Sequence, residues 1–291
     1  MKILCYNKGL HHKNLYALTC YKNIRIDFFE DLEELSDINL LDYEIIYSPA
    51  EPFLVSGLPT MRFIFGPHFS TFPNQRIQHI IGNNSIYIQP SQWTIDIWKR
   101  FPITKDLRIE NMPFGVDTDK FNQKIDIGSR NKVFIYFKNR NPLELRYLEH
   151  LLLTQNIEYK VFDYKKKYDE ATYINYLQEA KYGIWLGCHE SQGFALQEAL
   201  SCNVPLFVWS VKSMKQEYGC DYEDISATSV PYWDERCGEV IYDINNFIIR
   251  FKEFLLKLEE YNPRQYVIEN LSMSVCEERF ICLCNDLSTS F

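Results

Sequence analysis

Residues 182–209 read YGIWLGCHESQGFALQEALSCNVPLFVW, and this stretch decides the fold. Its first part, 182–186, is largely apolar, as a strand buried on both faces of a parallel sheet is. A polar loop follows, and the pattern predicts a helix near 194–202 and a further strand at 205–209. Strand, loop, helix and strand in this order form one unit of an α/β sheet, and the first amides of the helix offer an anion site.

The same alternation extends through the second half of the chain. Strands are predicted at 132–137, 158–163, 182–186 and 205–209, and helices at 142–154, 170–180, 194–202, 243–260 and 264–284. Successive strand–helix–strand units connect parallel strands, so this half is predicted to be one doubly wound domain.

A separate alternating series occupies the first half. Strands are predicted at 2–6, 24–28, 43–48, 62–66, 86–89 and 107–110, and helices at 11–21, 31–37, 74–81 and 91–100. Two of these strands, 43–48 and 62–66, are apolar on both faces. The fold class predicted for the whole chain is therefore α/β, with two Rossmann-like doubly wound domains.

The joint between the two series is predicted at 111–130, which holds Pro113, Gly115 and many polar residues. We divide the sequence into an N-terminal domain at 1–122 and a C-terminal domain at 123–270. The remaining segment, 271–291, is predicted to be a C-terminal helix that could return towards the N-terminal domain.

Composition excludes several classes of function. Of 291 residues, 46% are hydrophobic and 24% charged, which is ordinary for a folded protein. The formal net charge of −8 argues against a broad nucleic-acid surface, because phosphate backbones require clustered positive charge. Aromatic residues reach 15%, and we interpret most of them as core.

The sequence shows no signal peptide and no apolar stretch of membrane-spanning length, so we expect no transmembrane segment. The nine cysteines are scattered, without a Cys-x2-Cys pair or a histidine cluster. We therefore expect no metal, reduced thiols and a cytoplasmic location.

Two glutamates eight residues apart, Glu190 and Glu198, stand out in the opening stretch. Glu190 lies in the loop before the predicted helix, and Glu198 lies about one turn into it. Both can point into one crevice at the carboxyl end of the strand, where carboxylates suit a polyol ligand. Alternatively, Glu190 only favours the helix N-terminus and Glu198 lies on a solvated face.

The chain resembles retaining GT-B glycosyltransferases of the glycosyltransferase family 4-like group (group 1). The segments that carry the resemblance are Glu190-x7-Glu198-Ala199-Leu200, Cys202-Asn203-Val204-Pro205, Pro113-Phe114-Gly115-Val116-Asp117, Ile88-Gln89-Pro90-Ser91 and Asn262-Pro263-Arg264. Their order and spacing cover most of the chain. The resemblance implies two domains that face a central cleft.

The same resemblance implies the roles of individual residues. Glu190 would bind the sugar hydroxyls near the reacting carbon, and His68 would face the sugar or the acceptor from the N-terminal domain. The remaining donor-binding candidates are Gly9, Lys138, Arg140, Tyr164, Gln192, Gly193, Phe194, Ala195 and Glu198. Glu198 would hold the ribose, and Lys138 and Arg140 would neutralise the diphosphate. For these two cations the alternative is a solvated basic turn, and for His68 it is a purely structural role.

The activity implied is transfer of a sugar from a nucleotide-sugar to a glycan or other hydroxyl acceptor, with retention at the anomeric carbon. No metal or other cofactor is implied, since cationic side chains would take the place of a metal. Two alternatives stay open: another sugar-nucleotide chemistry, such as epimerisation or hydrolysis, and a catalytically silent protein that binds nucleotide-sugars.

Overall fold

The computed structural model describes residues 1–49, 53–67 and 71–289. The chain divides into two compact units. The first comprises Met1–Gly115 and Leu271–Phe291, and the second comprises Val116–Asn270. The C-terminal segment thus belongs to the same unit as the N-terminus.

The division after Gly115 comes earlier than the boundary predicted at residue 122, and hydrogen bonds explain why. Ser201 Oγ and Arg264 Nη1 donate to the Phe121 carbonyl at 2.6 and 3.1 Å, and Arg264 Nη2 donates to the Thr118 carbonyl at 3.1 Å. The segment after Gly115 is therefore bound to the second unit.

The first unit contains a six-stranded parallel sheet in the order β2-β1-β3-β4-β5-β6. Its strands are β1 (Lys2–Tyr6), β2 (Arg25–Phe29), β3 (Ile45–Ser48), β4 (Arg62–Phe65), β5 (Ser85–Gln89) and β6 (Ile109–Asn111). Consecutive residues Phe63, Ile64 and Phe65 have no exposed surface. This burial on both faces is what the unbroken apolar run predicts.

The helices of this unit differ from the prediction. The first unit contains α1 (His12–Cys20) and α2 (Gln92–Trp98). The helices predicted at 31–37 and 74–81 are instead short 3₁₀ helices, Leu32–Ser36 and Gln75–Ile80. Each has only five or six residues. A segment of this length forms few α-helical hydrogen bonds, which do not offset the backbone entropy lost. Short segments therefore often adopt the tighter 3₁₀ turn.

The second unit contains a five-stranded parallel sheet in the order β11-β10-β9-β7-β8. Its strands are β7 (Lys132–Lys138), β8 (Tyr159–Asp163), β9 (Ala180–Gly187), β10 (Leu206–Trp209) and β11 (Gly238–Ile241). Its helices are α3 (Pro142–Thr154), α4 (Glu170–Glu179), α5 (Phe194–Ser201), α6 (Phe247–Leu256) and α7 (Pro263–Leu271).

Strand β11 has no counterpart in the prediction. Its four residues, GEVI, carry too weak an apolar pattern to be recognised. The strand depends on Gly238, whose φ is +131°, and an added Cβ would lie 2.0 Å from the Leu206 carbonyl oxygen. Only glycine permits β11 to approach β10 this closely.

The long helix predicted at 264–284 is interrupted at Ser272, and α8 (Met273–Thr289) begins there. The Ser272 carbonyl accepts the Cys276 amide at 3.0 Å, as the first acceptor of a new helix does. Gly115 lies against this break, since a Cβ on it would be 2.7 Å from Met273 Cα.

Within the first unit, Glu277 connects helix α8 to the segment after α1. Glu277 is 4% exposed. Its carboxylate accepts the amide of Lys22 at 2.7 Å, the amide of Asn23, and Asn23 Nδ2 at 3.1 Å. The ring of Phe280 contacts those of Tyr21 and Tyr47, at centroid distances of 5.8 and 5.7 Å. One charged group thus satisfies two amides just after α1.

We predict that Glu277→Gln destabilises the first unit by about 1.5–3 kcal/mol, because hydrogen bonds to a charged acceptor contribute this much. Urea unfolding measures the loss. The matched control is Glu278→Gln, at an exposed position on the same helix, which should change stability by less than about 0.5 kcal/mol. Equal effects of the two substitutions would contradict the role given to Glu277.

Candidate functional site

The carboxyl ends of β7 and β9 lie side by side, with Lys138 in register with Gly187. Glu190 follows three residues after Gly187, and Lys138 Nζ lies 2.9 Å from each of its carboxylate oxygens. The two side chains are only 18% and 10% exposed. Parallel pairing of the strands therefore produces a largely buried ion pair between residues far apart in sequence.

The Lys138 ammonium is held in its charged form. Burial by itself would lower its pKa, but the adjacent Glu190 carboxylate outweighs burial, and the pKa of Lys138 is raised above its usual range. Its Nζ also lies 4.6 Å from the ring centroid of Tyr164, at the end of β8, a distance typical of a cation–π contact. The structure thus brings three of the predicted site residues together.

Helix α5 begins immediately after this pair. Its N-cap, Gly193, has φ +81°, a left-handed conformation that favours glycine. The buried loop residue Gln192 accepts a 2.7 Å hydrogen bond from Gln197 Nε2 at its carbonyl, which fixes the start of the helix. The amides of Phe194 and Ala195 belong to the first turn, where no intrahelical acceptor exists.

Glu198 lies one turn into α5 and is 4% exposed, so it is not the solvated face residue that the alternative reading required. Its charge and that of Glu190 both act on Tyr168: burial, together with the two carboxylates, raises the pKa of Tyr168 to about 12. The two glutamates therefore lie near the same phenol.

Sequence reasoning missed Tyr168 and its partner Tyr136. The two hydroxyls are hydrogen-bonded, and the Tyr136 ring stacks on that of Trp185 at a centroid distance of 3.8 Å. Tyr168 follows Lys167, a residue in the left-handed conformation, in the loop after β8. No sequence pattern marks such a position, because the contact depends on how the loop folds back.

Arg140 has a different environment from the one expected for a phosphate ligand. Its side chain is 1% exposed. Nη1 donates to the carbonyls of Gly187 and Trp209 at 3.1 and 2.8 Å, while Nε and Nη2 bind the Glu144 carboxylate at 2.9 and 2.8 Å. These bonds join the ends of β9 and β10 to α3. The hydrogen bonds of Arg140 therefore hold the two strand ends and α3 together. Its side chain is buried, so it neither lies in a solvated basic turn nor is open to a phosphate.

The comparisons with known proteins yield structures only: no family model and no curated protein matches the chain. Sucrose-phosphate synthase from Thermosynechococcus elongatus aligns with a TM-score of 0.58 at 12% identity and covers 100% of both chains. The lipopolysaccharide outer core galactosyltransferase WaaB aligns with 0.55 at 13%, over 100% of this chain and 99% of that one. The N-terminal domain of Candida albicans trehalose-6-phosphate phosphatase aligns with 0.58 at 11%, over 99% and 96%.

The chain has the GT-B fold. Identities of 11–13% make this a likeness of fold and not of activity. Among the residues described here, no helix has both the length and the apolar character needed to cross a bilayer.

Two further predicted residues belong to the first unit of this GT-B chain. Gly9 follows β1 in a turn and has φ +76°, so its backbone needs glycine, and its role towards a donor stays a prediction. His68 lies outside the described residues. Its predicted role is likewise untested.

We predict that Arg140→Lys lowers stability by about 2–4 kcal/mol, because one ammonium cannot replace a planar group that serves two carbonyls and a carboxylate. Chemical unfolding measures the change. Arg146→Lys, at an exposed position on α3, is the matched control and should be nearly neutral. If Arg140→Lys kept full stability but no longer bound nucleotides, the result would instead indicate that Arg140 is a phosphate ligand.

Proposed function

We propose that this protein is a retaining glycosyltransferase that moves a sugar from a nucleotide-sugar to a hydroxyl acceptor without a catalytic metal. The observation that carries the proposal is the buried pair of Lys138 and Glu190 at the shared edge of β7 and β9, next to the start of α5 and to Glu198. The GT-B fold adds support, since sucrose-phosphate synthase and WaaB are glycosyltransferases of this fold.

The donor would bind along the edge of the second sheet. Glu198 would accept the ribose hydroxyls, and Tyr164 would frame the base. The amides of Gly193, Phe194 and Ala195, with Gln192 beside them, would receive the phosphates, because the start of a helix attracts anions. Half of the Tyr164 surface is exposed, which suits a ring that contacts a ligand.

Lys138 would stabilise the departing nucleoside diphosphate. Its ammonium has three N–H donors, and the two oxygens of Glu190 lie within reach of two of them. A phosphate oxygen could take the third. Charge that develops on the leaving group would then be met by a fixed cation in a site with little water, which lowers the barrier more than ground-state binding does.

Glu190 would accept hydrogen bonds from the sugar hydroxyls near the reacting carbon. A carboxylate already paired with an ammonium on both oxygens is a weak nucleophile, which disfavours the covalent route of retaining hydrolases. We therefore favour a front-face reaction, in which the leaving phosphate takes the proton of the acceptor hydroxyl.

The acceptor is a glycan or another hydroxyl compound, and we place its recognition in the first unit, with His68 as a candidate, while Gly9 would let the loop after β1 approach the donor phosphates. A cytoplasmic location also belongs to the proposal. All nine cysteines are free thiols, as expected in a reducing compartment.

Two other functions are compatible with the same fold. The N-terminal domain of Candida albicans trehalose-6-phosphate phosphatase aligns with this chain as well as the synthase does, so the fold alone does not establish transfer. A silent protein that binds nucleotide-sugars, or an epimerase or hydrolase, would use the same second-unit site. Product analysis separates them: a transferase consumes the donor only with an acceptor, whereas an epimerase or hydrolase needs none and a silent protein consumes nothing.

We predict that millimolar UDP, ADP or GDP raises the melting temperature of the protein, and that Glu198→Gln loses most of this shift. Removal of a charged acceptor for the ribose costs about 1.5–3 kcal/mol, or about a 10- to 150-fold rise in Kd. Differential scanning fluorimetry measures both effects. Glu190→Gln should keep the nucleotide shift and lose turnover of the sugar donor.

The matched control is Glu158→Gln, at an exposed position before β8, which should behave like the unaltered protein. An unchanged melting temperature with all three nucleotides would refute the proposal. If Glu198→Gln left nucleotide binding unaffected, the ribose would have to bind in another part of the site.

A further inference from the structure

A second cluster lies beside the Lys138–Glu190 pair and takes no part in the function proposed above. Cys188 and His189 directly follow β9, and Glu217 follows the short 3₁₀ helix Met214–Gln216 after β10. One ligand atom from each of the three lies within 4.8 Å of the other two, and His189 Nδ1 is 3.3 Å from Glu217 Oε2. Cys188 is buried, and the other two side chains are only 12% and 10% exposed.

These separations are close to those of a tetrahedral zinc site. Bonds of about 2.0 Å to nitrogen and oxygen and about 2.3 Å to sulfur place N and O ligands about 3.3 Å apart, and S and N ligands about 3.6 Å apart. The nitrogen and the oxygen already have the required separation. The three atoms lie within 4.8 Å of one another, so the sulfur needs to move inward by about 1.2 Å at most, within the range of a side-chain rotation.

Neighbouring groups hold the ligands in place. Asn139 Nδ2 donates to Glu217 Oε1 at 2.8 Å, so the other oxygen of Glu217 faces His189. The Cys188 amide donates to the Lys138 carbonyl at 2.9 Å, and the Tyr218 amide donates to that of Asn139 at 2.8 Å. Outer contacts of this kind orient the ligands of metal sites.

The local charges suit a divalent cation. The ammonium of Lys138 would repel a cation, but the Glu190 carboxylate neutralises it at 2.9 Å. A thiolate from Cys188 and the carboxylate of Glu217 would balance two positive charges, with neutral His189 as the third ligand. Mixed sulfur, nitrogen and oxygen ligands favour zinc over magnesium or calcium, which prefer oxygen alone.

We propose that Cys188, His189 and Glu217 bind a zinc ion, which fixes the loop between β9 and α5. A water or another group would complete the coordination, and the thiol proton of Cys188 would pass to solvent as the metal–sulfur bond forms. No step of the sugar transfer proposed above uses this metal, so the site is compatible with transfer that needs no catalytic metal. It holds in place the loop that carries Glu190, whether or not the protein is a transferase.

Cobalt(II) is the probe that tests the site. The protein of 291 residues is treated with a chelator and titrated with Co²⁺ without oxygen. We expect the visible bands of four-coordinate cobalt and a sulfur-to-cobalt charge-transfer band in the near ultraviolet, which saturate at one equivalent and disappear when Zn²⁺ is added. Cys188→Ser should lack the charge-transfer band, and His189→Gln and Glu217→Gln should each weaken cobalt binding more than about tenfold.

The matched control is Cys237→Ser, which removes another buried thiol of the same unit and should leave the spectrum unchanged. Circular dichroism shows whether each variant is folded, and His189→Gln carries the test if Cys188→Ser is not. Absence of the charge-transfer band in the unaltered protein at excess cobalt would overturn the proposal. So would a band that persists in a folded Cys188→Ser variant, since another cysteine would then be the ligand.

Discussion

The candidate site depends on one buried guanidinium, that of Arg140. Its planar donors join the final carbonyls of β9 and β10 to the Glu144 carboxylate of α3. The carboxyl ends of parallel strands would otherwise leave carbonyls unsatisfied at the point where the chain turns into loops. With those ends fixed, the loop after Gly187 starts from a defined position, and Glu190 lies within reach of Lys138.

Electrostatics at this edge are local and do not follow the net charge of −8. Lys138 keeps its proton because the adjacent Glu190 carboxylate outweighs the effect of burial on its pKa, and both the carboxylate and the burial come from the pairing of β7 with β9. Partial burial also weakens screening by salt, so one ammonium has a stronger influence here than on the surface. An acidic chain can therefore offer a phosphate-binding cation without a basic surface.

Much of the fold could be predicted because strands buried on both faces leave a plain apolar signal. The runs at β4 and β7 are examples, and their parallel pairing follows from the helices between them. Weak or conformation-dependent signals were missed. Strand β11 depends on the left-handed φ of Gly238, and the interruption at Ser272 depends on a serine that begins α8, so neither follows from hydrophobic periodicity.

The sequence by itself determined the α/β class, the two sheets and the position of Glu190 and Glu198 around the start of one helix, because those features depend on local periodicity and spacing. Only the tertiary structure decided which cation pairs with Glu190. Lys138 and Arg140 are two residues apart and look equivalent in sequence, yet one reaches the carboxylate and the other is buried beneath the strand ends. The physical reason is the turn between them. In an extended strand, residues two apart point to the same face, but Asn139 has a φ of +48°, so the chain turns after Lys138 and Arg140 meets different neighbours from distant parts of the chain.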